Sequence, residues 1–202
     1  HHMGKTCDAQ SAAIKNIDAW HSELSNNGLD AIVINTSGCG TTVKDYHHMF
    51  QGTEHEEKAK VIAGLTKDIS EILVELEVPD RAENDINVAY HSACSLQHGQ
   101  QISNSPKDML KKCGYKISEP KNSHLCCGSA GTYNLLQPKI SQELKNRKIQ
   151  SLEAKKPDII AAGNLGCMMQ ISSSTNIPVV HTVELIDWAT GGPKPNKLND
   201  KH

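Results

Sequence analysis

The stretch Asp30-Ala-Ile-Val-Ile-Asn-Thr-Ser-Gly38-Cys39 recurs as Asp158-Ile-Ile-Ala-Ala-Gly-Asn-Leu-Gly166-Cys167, 128 residues further on and without a gap. In both, an aspartate precedes an apolar run of strand type, a Gly-Cys pair follows the run, and a helix-periodic segment comes before it. Such a pairing implies two copies of one unit; the alternative is a coincidence between two strand ends. The same offset puts the counterpart of Cys126-Cys127-Gly128 just ahead of residue 1. The first copy therefore reads as incomplete, and Cys39 as a metal ligand of the intact protein that is left here as a free thiol. His1-His2-Met3 fits either an expression-tag remnant or a native segment.

Around these runs, strands alternate with helices. Helical spacing covers 10–26, ended by Asn27-Gly28, and a short strand at 30–35 leads into a turn at 36–40. The clearest amphipathic helix runs over 57–77 through Val61, Ile62, Leu65, Ile69, Ile72, Leu73 and Leu76. Residues 79–84 read as a linker. Strands are expected at 86–90, 115–118, 158–162 and 178–181, and helices at 107–112, from Pro138 to about 154, and at 183–189. This order implies an α/β fold of mainly parallel sheets with flanking helices, built as two repeats of which the first is incomplete. The division expected is 1–80 for the partial first copy, 81–190 for the complete second, and 191–202 for a disordered Gly/Pro/Lys/Asn tail. In parallel sheets, ligands sit beyond the carboxyl ends of the strands, and Cys39, Cys94 and Cys167 each fall a few residues past one.

Composition narrows the function classes. Lys and Arg number 21 against 23 Asp and Glu, and aromatic residues are 3%. Neither the basic groove nor the stacking platforms of a nucleic-acid binder are present. Apolar runs of about four residues are far too short to span a membrane, and no secretory signal pattern opens the chain. A soluble, cytoplasmic protein is expected.

Seven cysteines (Cys7, Cys39, Cys94, Cys113, Cys126, Cys127 and Cys167) are an odd number in a chain of 202 residues, which needs no disulfide staples. Patterned thiols in a reducing compartment point to metal binding or redox chemistry. Within the second copy, 31 residues separate Cys94 from the pair Cys126-Cys127-Gly128, and 39 separate Cys127 from Cys167. Four thiols from three segments suit a zinc ion or an iron–sulfur cluster. Cys7 and Cys113 read as incidental packed cysteines, and His98 and His124 as flanking residues able to tune the site. A cysteine nucleophile, Cys94 beside His91 and His98, lacks a recognisable oxyanion motif or orienting residue and leaves the Cys126-Cys127 pair without a role.

The spacing, together with Cys94-Ser-Leu-Gln-His-Gly-Gln100, Leu125-Cys-Cys-Gly-Ser-Ala-Gly-Thr-Tyr133, Ser37-Gly-Cys-Gly-Thr-Thr-Val-Lys-Asp-Tyr46 and Ala162-Gly-Asn-Leu-Gly-Cys167, resembles the cysteine-rich CCG domains of the heterodisulfide reductases. It is more similar still to the glycolate oxidase iron–sulfur subunit family, over residues of about 9–188 that match its C-terminal portion. The resemblance implies electron transfer within a glycolate (2-hydroxy acid) oxidase, from flavin-containing partner subunits towards a quinone, with peripheral association of the complex at the inner membrane. It implies a [4Fe–4S] cluster on Cys94, Cys126, Cys127 and Cys167, with Gly128 and neighbouring amides hydrogen-bonding its sulfurs; the alternative is a zinc-stabilised or thiol-redox module. One departure stands out: the heterodisulfide reductase pattern ends in Cys-x-x-Cys, and here Gln170 holds the last position. Four thiolates remain, enough for a cubane cluster.

Overall fold

A computed structural model describes residues 3–199. The long helix α1 (Thr6–Asn27) ends where Gly28 takes a positive φ of 79° and returns its N–H to the Leu24 carbonyl. Strand β1 (Ile32–Ile34) then runs straight into helix α2 (Ser37–Lys44). The turn expected at 36–40 is thus the first turn of a helix, and Cys39 sits on it.

After the short α3 (Tyr46–Met49), the helix expected over 57–77 is interrupted. It is α4 (Glu56–Leu65), strand β2 (Thr66–Asp68) and α5 (Ile69–Glu75). The apolar spacing crosses the break undisturbed, so periodicity alone does not reveal it. The break is written in capping chemistry: Asp68 accepts the Ser70 N–H at 2.9 Å and Glu71 accepts the Asp68 N–H at 2.8 Å, starting a new helix. Thr66, β-branched, is thereby freed to pair with β1.

The second half carries β3 (Asn87–His91), a single π-helical turn over Ser95–Gly99, α6 (Ser105–Lys112), β4 (Lys116–Ser118), α7 (Tyr133–Leu136), α8 (Pro138–Glu153), β5 (Ile159–Ala162), α9 (Leu165–Ser172), β6 (Val179–His181) and α10 (Thr182–Ala189). The four strands form one parallel sheet in the order β4-β3-β5-β6, and β1 pairs with β2 in a second. Every residue of β5 is buried, as a parallel strand covered on both faces requires. One core layer packs Val88, Tyr90, Leu110 and Leu185, and the opposite layer Leu96, Leu152, Ile160 and Ile171. A third cluster, around Ile17, Phe50 and Ile62, belongs to the first half.

The two halves run in parallel beyond the decapeptide. Helix α2 begins at residue 37 and α9 at 165, the same 128-residue offset. Ile32 pairs with Thr66 and Ile34 with Asp68, just as Ile160 pairs with Val179 and Ala162 with His181. The strand-end capping box recurs too, with His181 and Glu184 where the first half has Asp68 and Glu71. The order and register are compatible with two copies of one β-α-β-α unit. Residues 191–199 depart from the disordered tail expected there: a 3-10 turn spans Asn196–Leu198, and Leu198 is buried in the first core layer. The rest of that expectation, 200–202, lies outside the described residues.

Candidate metal centre

Three segments bring four thiols together at the carboxyl ends of β3 and β5. Cys94 lies just past β3, at the start of the π-helical turn, where the coil widens, a distortion that recurs at functional sites. Cys126 and Cys127 come from the loop ahead of α7. Cys167 sits on the first turn of α9, its N–H received by the Asn164 side chain at 3.1 Å, which caps the helix. Cys127 and Cys167 are buried in the core, whereas Cys94 and Cys126 are half-exposed.

The loop between the cysteines is clamped by α8. Gly128 has a φ of 89°, and a Cβ there would lie 2.4 Å from the Ser141 carbonyl oxygen, a fit only glycine allows. The Gly128 N–H donates to Cys126 Sγ at 3.3 Å, and its carbonyl accepts from Ser141 Oγ at 2.8 Å. Gln170, in the position where the resemblance leads one to look for a fifth cysteine, instead donates to Ser141 Oγ at 2.9 Å. It fastens α9 to α8 behind the loop.

The thiols are arranged as a chain that shares protons. Cys126 is held far down by the Cys127 and Cys94 thiols, which donate to its sulfur, and Cys167 is drawn down to about 5, chiefly by the Cys127 thiol. Cys94 and Cys127 are pushed up, each by the neighbouring Cys126 sulfur. Without a metal, alternate sulfurs carry the negative charge, and all four can lose their protons only when a cation takes that charge up. Iron or zinc on thiolates does this, so the donor set fits either.

Two residues outside the expected set complete the surroundings. Lys148, only 1% exposed, reaches from α8 to the Asn122 and Ser123 carbonyls at 3.4 and 3.1 Å. Burial lowers its pKa, and the four cysteines work against that fall. The sequence signal for it is a lysine on the buried stripe Ser141, Lys145, Lys148, Ile149, Leu152. His91, the last residue of β3, has no exposed surface; one of its ring nitrogens, Cys127 Sγ and Cys167 Sγ lie within 4.8 Å of one another. By contrast His98 and His124, expected beside the site, are exposed and absent from the cleft lining. Cys7 is exposed rather than packed, whereas Cys113 is buried as expected.

The four cysteines open onto a cleft of about 800 Å³ whose other wall is the first half of the chain. Cys39 lines that wall, exposed, together with Thr42 and Tyr46. Its place is therefore the rim of the same cleft. The walls are tied together: Asn164 Nδ2 donates to Ser37 Oγ at 3.2 Å, Gln100 Nε2 donates to the Ser37 carbonyl at 3.0 Å, and Ser37 Oγ lies 2.8 Å from Ser95 Oγ.

A parallel α/β sheet whose strand ends gather thiols on one cleft defines a cysteine-cluster protein. Residues 88–172 match the family model of the cysteine-rich (CCG) domain. Over 191 residues the chain is 34% identical to the glycolate oxidase iron–sulfur subunit of Escherichia coli K12, covering 94% of this chain and 47% of that protein. It is 28% identical over 202 residues to the probable glycolate oxidase iron–sulfur subunit of Bacillus subtilis 168, covering 94% and 45%. It is 29% identical over 165 residues to lactate utilization protein A of Anoxybacillus flavithermus, covering 77% and 69%. The chain thus spans about half the length of the glycolate oxidase subunits it matches. No helix among the described residues is long and apolar enough to cross a membrane.

Proposed function

We propose that this chain is part of the iron–sulfur subunit of a 2-hydroxy-acid oxidase complex, with glycolate as substrate of the whole. Its role is to carry electrons from flavin-containing partner subunits towards a quinone, in the cytoplasm and at the periphery of the inner membrane. The cluster, of [4Fe–4S] type, would be held by Cys94, Cys126, Cys127 and Cys167, with the Gly128 amide hydrogen-bonding the Cys126 sulfur. In the intact protein, Cys39 would be a ligand of a second site belonging to the first CCG-type copy.

The observation that carries this reading is the convergence of four thiols from three separate segments at one end of a parallel sheet, in a chain similar along most of its length to named iron–sulfur subunits. When bound, a cluster supplies one-electron redox chemistry. The chain's own residues do the rest: Cys127 and Cys167 are anchored in the core, the Gly128 N–H donates to sulfur, and Lys148 holds the loop through the Asn122 and Ser123 carbonyls.

Anaerobic assay of iron, sulfide and zinc, with absorbance and EPR before and after dithionite, tests the reading. About four irons and four sulfides per chain, a reducible signal, and loss of both in Cys126→Ser are expected. Zinc alone, after strictly anaerobic preparation and attempted loading with iron and sulfide, would overturn it in favour of a structural module.

A further inference from the structure

We infer that His91 is a nitrogen ligand of the metal centre formed with Cys127 and Cys167; the inference rests on the proposal that these cysteines hold a metal. His91 ends β3 directly opposite Ala162 of β5, so the fold delivers it to the strand ends where the thiols gather. It is 0% exposed, and neither Nδ1 nor Nε2 has a hydrogen-bond partner among the described residues. Buried polar atoms are nearly always paired, and leaving one unpaired costs about 1–3 kcal/mol. Ligation would satisfy one of the two, the nitrogen that faces the Cys127 and Cys167 sulfurs.

The distances allow it. A ring nitrogen and the two sulfurs lie within 4.8 Å of one another. Donors around a tetrahedral ion, at about 2.0–2.1 Å for nitrogen and about 2.3 Å for sulfur, are about 3.5–3.8 Å apart. An ion can therefore be enclosed by a contraction of about an ångström, within reach of side-chain torsions. Imidazole binds iron and zinc alike. A cubane takes one terminal ligand per iron, so on a [4Fe–4S] cluster His91 would replace one of the four cysteines proposed above; the neutral nitrogen then leaves the centre with one negative charge fewer, which raises its reduction potential. His91 then acts both as an anchor and as a setting on the potential.

The test is pulsed EPR of the full chain, loaded anaerobically with iron and sulfide and reduced, made once with natural-abundance and once with ¹⁵N-labelled histidine. A strongly coupled nitrogen whose hyperfine pattern changes with the label, and disappears in His91→Gln, is the expected result. The labelled wild type decides the matter even where His91→Gln fails to fold. A second variant, His91→Cys, should keep the iron and shift the reduction potential downward; an unshifted potential argues against ligation. A reducible cluster with no coupled nitrogen overturns the inference and leaves the iron–sulfur reading standing. If the chain takes up zinc and no iron, the iron–sulfur reading fails by itself. Zinc-edge X-ray absorption then supports His91 if imidazole scattering is present and overturns it if the shell is all sulfur. A chain that binds neither metal overturns both.

Discussion

Replacing Gly128 by alanine perturbs the cysteine loop at its tightest point. At a φ of 89° an L-residue is strained, by about 1–2 kcal/mol. The new Cβ would stand 2.4 Å from the Ser141 carbonyl oxygen and 3.1 Å from Ser141 Oγ. Ordinary contact begins about an ångström further out, and the obstacle is the backbone of α8, so relief must come from the loop; overpacking of this kind costs about 1–3 kcal/mol. Together these give about 2–5 kcal/mol, which at about 2–4 °C per kcal/mol for a chain of this size lowers the melting temperature by on the order of 10 °C. Moving the loop also lengthens the bonds that Gly128 makes to Cys126 Sγ and Ser141 Oγ. Metal affinity should fall about 10–100-fold, as it does when supports behind the ligands are lost.

Gly114→Ala is the control. It has a φ of 86° and a Cβ 2.2 Å from the Ala82 carbonyl oxygen, so the strain is alike, but it packs against the segment around Ala82 and Asn84 and has no part in the cleft lining. Calorimetry of both variants, with iron and sulfide content after identical anaerobic loading, separates the two effects. Both should melt early, and only Gly128→Ala should lose metal. Gly128→Ala with wild-type melting and full metal content would refute the reasoning, as would equal metal loss in the two.

Lys148→Met keeps the bulk of the side chain but leaves the Asn122 and Ser123 carbonyls without their ammonium donor. A loss of about 1–3 kcal/mol is expected by calorimetry, and in the loaded chain a lower reduction potential by potentiometric titration, because a cation beneath the thiolates is gone. Cys39→Ser should leave the iron content unchanged and remove one fast-reacting thiol in maleimide labelling, since Cys39 lies exposed on the cleft rim. The metal-free chain should show a distinct pH dependence. Cys167, drawn down to about 5 from its ordinary 9.0, contributes stability that is complete above pH 9 and is lost as the pH falls towards 5. Cys94 and Cys127, raised in the folded chain, contribute stability that is lost as the pH climbs above 9. Melting temperature should therefore rise from pH 6 to about 8.5 and fall beyond about 9.5. Cys126, held far down, adds to the same rise, so Cys167→Ala should make the rising limb shallower without abolishing it, and an unchanged slope would contradict the assignment.

The α/β class, the strand-ending Gly-Cys pairs and the CCG segment were legible in the sequence because they are local. An apolar run bounded by Asp and Gly reads the same whatever lies around it, and 31- and 39-residue spacings between thiols survive unchanged into the site. The break at Thr66–Asp68 was hidden by an unbroken helical period, although the Asp68/Glu71 capping box was there to be read. Leu198, one apolar residue in a polar tail, is buried because the core leaves room for it, and no local pattern carries that information.

The sequence by itself determined which atoms are available: four thiols at motif positions in the second half, one in the first, and a glycine beside the vicinal pair. Which of them face one another was decided by the tertiary structure alone. Parallel pairing in the order β4-β3-β5-β6 sets the ends of β3 and β5 side by side, so that His91, from one strand, meets Cys167, from a helix that follows the other. Exposed His98 and His124 sit closer in sequence to the cysteine motifs than their role warrants, while buried Lys148 lies 21 residues past Cys127 and yet supports its loop. Burial and convergence are properties of packed surfaces, not of residue order. The candidate metal centre is therefore written in the sequence as a set of thiols, which come together only when the strands pair.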